Sequence, residues 1–477
     1  MVEREKWLND LSEWFRDVID RAEIYEYRYP IKGCGVWRAQ GFKLRQNILT
    51  VIRNLHDKRG HDEMLFPLLI PEDLLEKESV HIKGFEDEVY WVTHGGKDAL
   101  DVKLALRPTS ETIITPLVKL WVRSHADLPK KIYQIGSIFR YETKATRPMI
   151  RVREVTTFKE AHTYHATHDE ALKQVQTACQ IYKEIFDSLA LPYFLSERPE
   201  WDKFAGALTT YAFDTLFPDG RTLQIGTTHD LGQNFSKSFN FTFETINGDR
   251  EFVWQTSYGI SERLISAVIT VHGDDRGLVL PPIVAPIQIV IIPILYKGYG
   301  ARVNDECVKL KTKLEEIGLR VKMDDRDNLT PGAKFYEYEL KGVPIRVEVG
   351  PRDIEANQVT LVRRDTLKRT ECKRSNVVEL VQKMCDEIQK ALSDRACKWF
   401  NEHTFRTESI DEAKELIGSD SGIVEMPWCG DKSCGVTIEE TTDARILGIP
   451  LEEHQIYGKC PICGSNANEI IRLAKAY

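Results

Sequence analysis

Ile132-Tyr-Gln-Ile-Gly-Ser-Ile-Phe-Arg-Tyr-Glu142 is followed by a polar loop through Arg147 and then by Ile150-Arg-Val-Arg-Glu154. This spacing predicts two strands joined by a loop, a long antiparallel hairpin. Side chains alternate along a strand, so Arg140 and Glu142 are expected on one face of the first and Arg151 and Arg153 on one face of the second. Salt bridges on a solvated sheet would also account for such a face, so the flanking sequence has to give it meaning.

Upstream, residues 41–59 place Phe42, Leu44, Ile48, Val51, Ile52 and Leu55 at helical spacing among basic residues, an amphipathic helix closed by Gly60. Met64-Leu-Phe-Pro-Leu-Leu-Ile-Pro71 then reads as an apolar strand, with Pro67 at an edge or bulge because it lacks a ladder donor. Downstream, Gln255-Thr-Ser-Tyr-Gly-Ile-Ser-Glu-Arg-Leu264 predicts a strand passing through Gly259 into a helix with Ile260, Leu264, Val268 and Val271 apolar. Arg263 falls in the first turns of that helix, where a cation opposes the helix dipole. It is expected to face an anion, with a surface ion pair as the alternative.

The chain has 477 residues, 42% apolar and 29% charged, enough for two to four domains. No apolar run reaches the roughly 18 residues that span a bilayer, and the first residues lack the apolar core of a secretory signal. The expectation is a cytoplasmic protein with no membrane partner. A net charge of −8 confines any nucleic-acid contact to a local surface. The proline-punctuated stretch 279–287 marks a junction, so a first domain is expected over 1–283. Helices near 302–317, 333–341 and 375–392 alternate after it with strands near 288–293, 320–324, 344–349 and 358–363. That pattern predicts an α/β domain over 284–395, its sheet covered on both faces. A third unit, 396–477, carries Cys429-Gly-Asp-Lys-Ser-Cys434 and Cys460-Pro-Ile-Cys463. Two close pairs predict a tetrahedral four-thiolate site for structural Zn²⁺; a redox dithiol would leave the first pair without a purpose. The other six cysteines, scattered singly, are expected to be reduced.

The three segments around residues 41–71, 132–154 and 255–264, in this order, resemble the signature motifs of class II aminoacyl-tRNA synthetases. The resemblance implies an α+β catalytic domain built on an antiparallel sheet, with the first motif at a homodimer interface and the other two binding ATP. Arg107-Pro-Thr-Ser-Glu-Thr112, Phe158-Lys-Glu-Ala-His162, Arg198-Pro-Glu-Trp-Asp-Lys203, Gln224-Ile-Gly-Thr-Thr-His229, Leu231-Gly-Gln-Asn-Phe-Ser-Lys237 and 341–350 look like stretches of the prolyl-tRNA synthetases. The interval from Arg140 to Arg263 is too short for the editing insert of bacterial members, and an extension follows the second domain. The archaeal/eukaryotic type is the one resembled.

The resemblance implies a proline–tRNA ligase that joins L-proline to ATP and passes it to tRNA(Pro). Arg140, Glu142 and Arg263 are the implied catalytic residues. Thr109, Glu111, Phe158, Glu160, His229 and Ser257, with Arg140, would form the proline site, and His162 stands beside them. Arg140, Glu142, Arg151, Val152, Gln224, Thr227 and Arg263 would hold ATP and its Mg²⁺. From the residues alone, Thr109 or Ser110 could instead cap a helix with Glu111 in its first turn. Many family members carry a tryptophan near 156–158, where this chain has Phe158 after Thr156-Thr157. The α/β domain resembles an anticodon-binding domain, with Glu339, Arg346 and Lys368 near the anticodon, and Tyr477 is expected to fold back on the catalytic domain. A pocket for so small a substrate, with no editing insert, predicts misactivation of alanine or cysteine. A threonyl enzyme would need catalytic zinc ligands not found in the first 283 residues. A non-catalytic binding module would have no use for Arg140, Glu142 and Arg263 together.

Overall fold

In the computed structural model, which describes residues 5–76, 88–295, 300–419 and 422–477, the hairpin forms from strands Lys130–Phe139 and Glu154–His165. They pair antiparallel from Lys130 opposite Tyr164 to Phe139 opposite Glu154. The ladder therefore ends one residue before Arg140, and the expected charged faces are not strand faces. Arg140 N–H still reaches Arg153 O across the hairpin at 2.9 Å, but the other donors are diverted: Tyr141 N–H goes to Glu88 O at 2.7 Å, Glu142 N–H to Arg140 O at 2.7 Å and Arg153 N–H to Gly33 O at 2.8 Å. Arg153 parts company with Arg151. Its guanidinium lies over the Tyr141 ring, 4.1 Å from the centroid, and donates to Glu142 O at 3.2 and 3.0 Å.

The hairpin belongs to an eleven-stranded sheet. From Asp62–Glu63 at one edge the order runs through Lys130–Phe139, Glu154–His165, Trp254–Ser261, Thr222–Gly232, Thr209–Leu216 and Phe194–Glu197. Helices Ala39–Asp57, His168–Ser188 and Arg263–His272 bury one face through Ile48, Ile52, Ile181, Ile185, Leu264 and Val268. Residues 64–71 are not one strand. Asp62–Glu63 and Leu69–Pro71 join different sheets, with Pro67 between them, where no ladder donor is needed. Ile260 lies in the strand Trp254–Ser261 rather than in the helix, which begins at Arg263 itself.

The next 100 residues build a five-stranded sheet with Ile289–Pro293 parallel to both Val321–Met323 and Ile345–Val349. Alternation sends Ile289, Ile291 and Val347 toward Val303, Leu314, Val381 and Ile388. Val290 and Ile292 face Tyr338 and Val343 on the other side. The sheet is covered on both faces. Arg369–Lys373 adds an unanticipated edge strand, and the helix expected at 375–392 runs Val377–Glu402.

The last unit completes the large sheet rather than standing apart. Its strands Thr404–Arg406, Ile423–Trp428, Glu469–Ala474 and Arg445–Pro450 continue the order, the last pairing Ile449 with Glu197 and Pro450 with Ser196. Gly448, at φ +126°, is required there because a Cβ would collide with Glu197 O. Tyr477 folds back: its N–H donates to Thr222 O at 3.1 Å, its hydroxyl to Asp219, and its ring packs on Phe217 with Arg147 4.8 Å from the centroid. No helix of the described residues is long and apolar enough to cross a membrane.

Candidate active site

The uncovered face of the sheet is set by register. His162 pairs with Ser257, Glu160 with Gly259 and Phe158 with Ser261. His229 pairs with Ser257 and Thr227 with Gly259, while Thr210 pairs with His229. Paired residues project to the same side, so these side chains rise from one floor. They line a cavity of about 330 Å³ together with Thr109, Glu111, Arg140, Glu142, Arg151, Val152, Gln224 and Arg263. Every residue the sequence marked for catalysis, proline or ATP lies on that one cavity.

Three of the lining residues, Arg140, Arg151 and Arg263, are cationic. Arg140 Nε donates to Pro108 O at 3.2 Å and Arg263 Nε to Ile150 O at 2.8 Å, which aims both guanidinium groups from fixed backbone. Burial, with Arg140 and Arg151 nearby, pushes Arg263 down to about 10, and burial also lowers Arg140. A buried arginine whose protonation is depressed by neighbouring cations is stabilised by a bound polyanion.

The same cavity carries the carboxylates of Glu111 and Glu160. Thr109 Oγ1 donates to Glu111, and Ser110 Oγ donates to Glu160 Oε1 at 2.9 Å. Ser110 sits at the N-cap of the helix Glu111–Val118, yet neither it nor Thr109 makes a side-chain cap bond, because both hydroxyls serve these carboxylates. Gln134 Nε2 donates to Ser110 Oγ at 2.9 Å, and His162 Nε2 lies 3.4 Å from Glu160 Oε2. Burial pushes His229 down to about 4, so it is neutral near pH 7. Its Nδ1 meets Thr210 Oγ1 at 2.9 Å and its Nε2 meets Thr227 Oγ1 at 3.1 Å.

Sequence reasoning assigned no role to Asp202, Lys203, Phe204, Thr210 or Glu262, all of which line the cavity. The Glu262 carboxylate is buried under the floor, its Oε2 accepting from Thr156 N–H at 3.1 Å, Thr156 Oγ1 at 3.0 Å and Thr157 N–H at 3.2 Å. Burial outweighs those bonds and raises its pKa to about 7. Thr156 and Thr157 thus serve Glu262, and Phe158 is the aromatic that reaches the cavity.

The model of the tRNA synthetase class II core domain (G, H, P, S and T) matches residues 90–272, that of the anticodon binding domain 288–384, and that of the prolyl-tRNA synthetase C-terminal region 410–477. A proline–tRNA ligase of Saccharolobus islandicus is 54% identical over the whole of both chains, and one of Aeropyrum pernix is 54% identical over 99% of each. The chain belongs to the prolyl-tRNA synthetase family. A solved Giardia lamblia prolyl-tRNA synthetase in complex with prolyl-adenylate superposes with a TM-score of 0.95 at 36% identity, covering 100% of this chain and 99% of that one.

Two further sites of this prolyl-tRNA synthetase fold lie outside the cavity. Cys429, Cys434, Cys460 and Cys463 place their Sγ atoms within 4.8 Å of one another. A tetrahedral Zn²⁺ with Zn–S near 2.3 Å needs thiolates about 3.8 Å apart, so the set fits that ion and leaves no open position. Hydrogen bonds from Ser465 pull the Cys463 thiol down to about 6, while burial raises Cys429 and Cys434, so the fit to the ion rests on the placement of the four sulfurs. In the anticodon-binding fold, Glu339 and Arg346 are buried in a chain of ion pairs. Arg346 Nη1 lies 2.8 Å from Glu339 and its Nε 3.0 Å from Glu348, while Arg276 lies 2.8 Å from Glu339. Lys368 is exposed.

Proposed function

We propose that the chain activates L-proline with ATP to prolyl-adenylate and pyrophosphate, then transfers proline to the 3′ end of tRNA(Pro). The observation that carries this reading is one cavity lined both by three arginines and by Glu111, Glu160 and a neutral His229. A zwitterionic amino acid lies across it in one sense, its secondary ammonium toward the carboxylates and its carboxylate toward Arg140. Phe158 and Ser257 bound the ring, and Thr109 holds Glu111 in place.

The proline carboxylate is ionised at neutral pH and needs no general base. One of its oxygens attacks the α-phosphorus as the bond to the β-phosphate oxygen breaks, so positioning and charge stabilisation supply the rate. Arg140 bridges the two reactants. Arg151 and Arg263 take the charge on the outer phosphates, and Val152, Gln224 and Thr227 flank the nucleotide. The tRNA terminal hydroxyl then attacks the carbonyl and AMP leaves. Among the described residues, no group of three His, Cys, Asp or Glu other than the four cysteines is close enough to cage a metal. Mg²⁺ would take most of its oxygens from the phosphates, with Glu142 at its side, and would supply charge neutralisation there.

The division at 283 and 395 is kept as the functional one: catalytic domain, anticodon-binding domain, zinc-binding domain. Glu339, Arg346 and Lys368 are assigned to the anticodon, where guanine edges suit arginine, lysine and carboxylate partners. A homodimer is inferred from the first motif, where Leu65 is 80% exposed and Leu68, Leu69 and Phe42 are exposed near the short edge strand Asp62–Glu63. A cytoplasmic location follows from a tRNA substrate and a four-thiolate unit that needs reducing surroundings.

Aminoacylation of a tRNA(Pro) transcript with labelled proline tests the reaction, and sedimentation of the same preparation tests the dimer. Efficient charging with proline and a mass of two chains support the reading. No charging with proline overturns the substrate, and a monomer overturns the assembly.

A further inference from the structure

The loop at 199–208 brings Phe204 to the cavity, but its Trp201 packs, half-buried, against the core of the C-terminal domain. Trp201 Nε1 donates to Glu439 Oε2 at 3.3 Å. Its ring meets Trp428 edge-on, with centroids 6.0 Å apart and planes at 84°. It also abuts Gly435, where a Cβ would stand 2.5 Å from the indole Cη2. All three partners are tied to the thiolate unit. Trp428 precedes Cys429, Gly435 follows Cys434, and Glu439 lies about one turn further along the helix Lys432–Thr442. The other Glu439 oxygen accepts from Ile446 N–H at 2.9 Å, so that carboxylate is fixed as well.

Three residues past Trp201 the loop reaches the substrate side. Phe204 N–H donates to Thr210 Oγ1 at 2.9 Å, the same hydroxyl that meets His229 Nδ1. The Phe204 ring lies 4.7 Å from the His229 imidazole at 33°. Asn234 Nδ2 holds the far side of the loop through Gly206 O at 2.9 Å. A surface loop ordered over a cavity loses conformational freedom, and a large rigid side chain packed against a core at its start offsets that loss.

We propose that Trp201 is a positioning residue through which the four-cysteine unit sets the place of Phe204, and with it the fit of the proline pocket. The proposal rests on reading the Phe204–His229 corner as part of that pocket. Arg140, Arg151 and Arg263 stand outside the loop at 199–208 and the strands Thr209–Leu216 and Thr222–Gly232, so the relay acts on proline far more than on ATP.

The test uses the full zinc-loaded chain. Proline and ATP KM are taken from ATP–pyrophosphate exchange, proline Kd from calorimetry, and zinc per chain from metal analysis. Trp201→Ala is expected to raise proline KM and Kd about tenfold or more, as sub-ångström to 1 Å misplacements do, with zinc retained and ATP KM nearly unchanged. Trp201→Phe, which keeps a ring against Gly435, recovers most of the loss. Gly435→Ala raises proline KM in the parent chain but adds nothing in the Trp201→Ala chain, because the group it displaces is gone. Proline and ATP KM rising together, or additive effects of the two substitutions, would overturn the relay. If Trp201→Ala does not fold, Gly435→Ala against Trp201→Phe makes the same comparison: a proline-only effect supports the relay and an equal effect on ATP overturns it. Phe204→Ala separates the two levels. A raised proline KM there with a silent Trp201→Ala overturns the relay alone, and an unchanged one overturns the pocket reading and the relay together.

Discussion

Arg364 closes a two-bond ion pair on Asp274, at 2.7 and 2.6 Å, with both side chains buried. The pair joins the anticodon-binding fold to the residues that end the helix Arg263–His272, and Arg364 Nε also donates to Glu339 O at 2.7 Å. Removing one partner of such a pair strands the other charge without water. Arg364→Ala is therefore expected to cost about 3–5 kcal/mol in urea unfolding. A loss below about 1 kcal/mol, the range of an exposed pair, would show that the interface opens to solvent.

Glu262 gives stability a pH dependence of defined sign. Its carboxyl is held protonated up to about 7, above the ordinary 4.5, so between those values the folded chain keeps a proton that the unfolded chain has lost. Its contribution is complete below 4.5 and falls away as pH rises through 7, by about 3 kcal/mol in all. Glu262→Gln keeps the acceptor for Thr156 and Thr157 without the titration. The difference in unfolding free energy between parent and variant should therefore shift in the variant's favour from pH 4.5 to 7, and a difference flat with pH would refute the assignment.

The thiolate unit predicts one zinc per chain, and Cys460→Ala should abolish it. Cys460 is buried in the same core as Cys434 and Trp428, so the loss is structural, with a lower melting temperature for the whole C-terminal unit. Zinc retained at full occupancy in Cys460→Ala would rule out the four-thiolate site.

Alanine and cysteine differ from proline by little more than one or two methylene-sized pieces. A pocket of this kind separates such substrates by only about 1–3 kcal/mol per methylene. Both should therefore support measurable ATP–pyrophosphate exchange at saturating concentration, well below the proline rate. No exchange with either would mean that the pocket excludes them by a device beyond its shape.

What was legible in the sequence follows the reach of each signal. The strands flanking Arg140 could be read because their β-branched alternation is local, and Thr109 and Glu111 because they sit in one short word of the family pattern. The ladder's end at Phe139 could not, since it depends on Glu88 O and Gly33 O capturing donors from far along the chain. The strand at 64–71 dissolved at Pro67, whose missing N–H was recognised but whose two flanks join different sheets. Arg369–Lys373 lacks an apolar alternation because it is an edge with one buried cysteine. Thr210 reaches the cavity through pairing across the sheet and Phe204 through the loop at 199–208, placements that no local alternation sets. The same holds for Ile449 meeting Glu197, which fuses the C-terminal unit to the catalytic sheet.

Whether this cavity joins proline to ATP with Arg140 as the bridging charge is decided by ATP–pyrophosphate exchange across all twenty amino acids in the parent chain and in Arg140→Ala. Exchange should be strongest with proline and fall by about a hundredfold or more in the variant. Strongest exchange with another amino acid, or proline exchange undiminished in Arg140→Ala, would contradict that assignment.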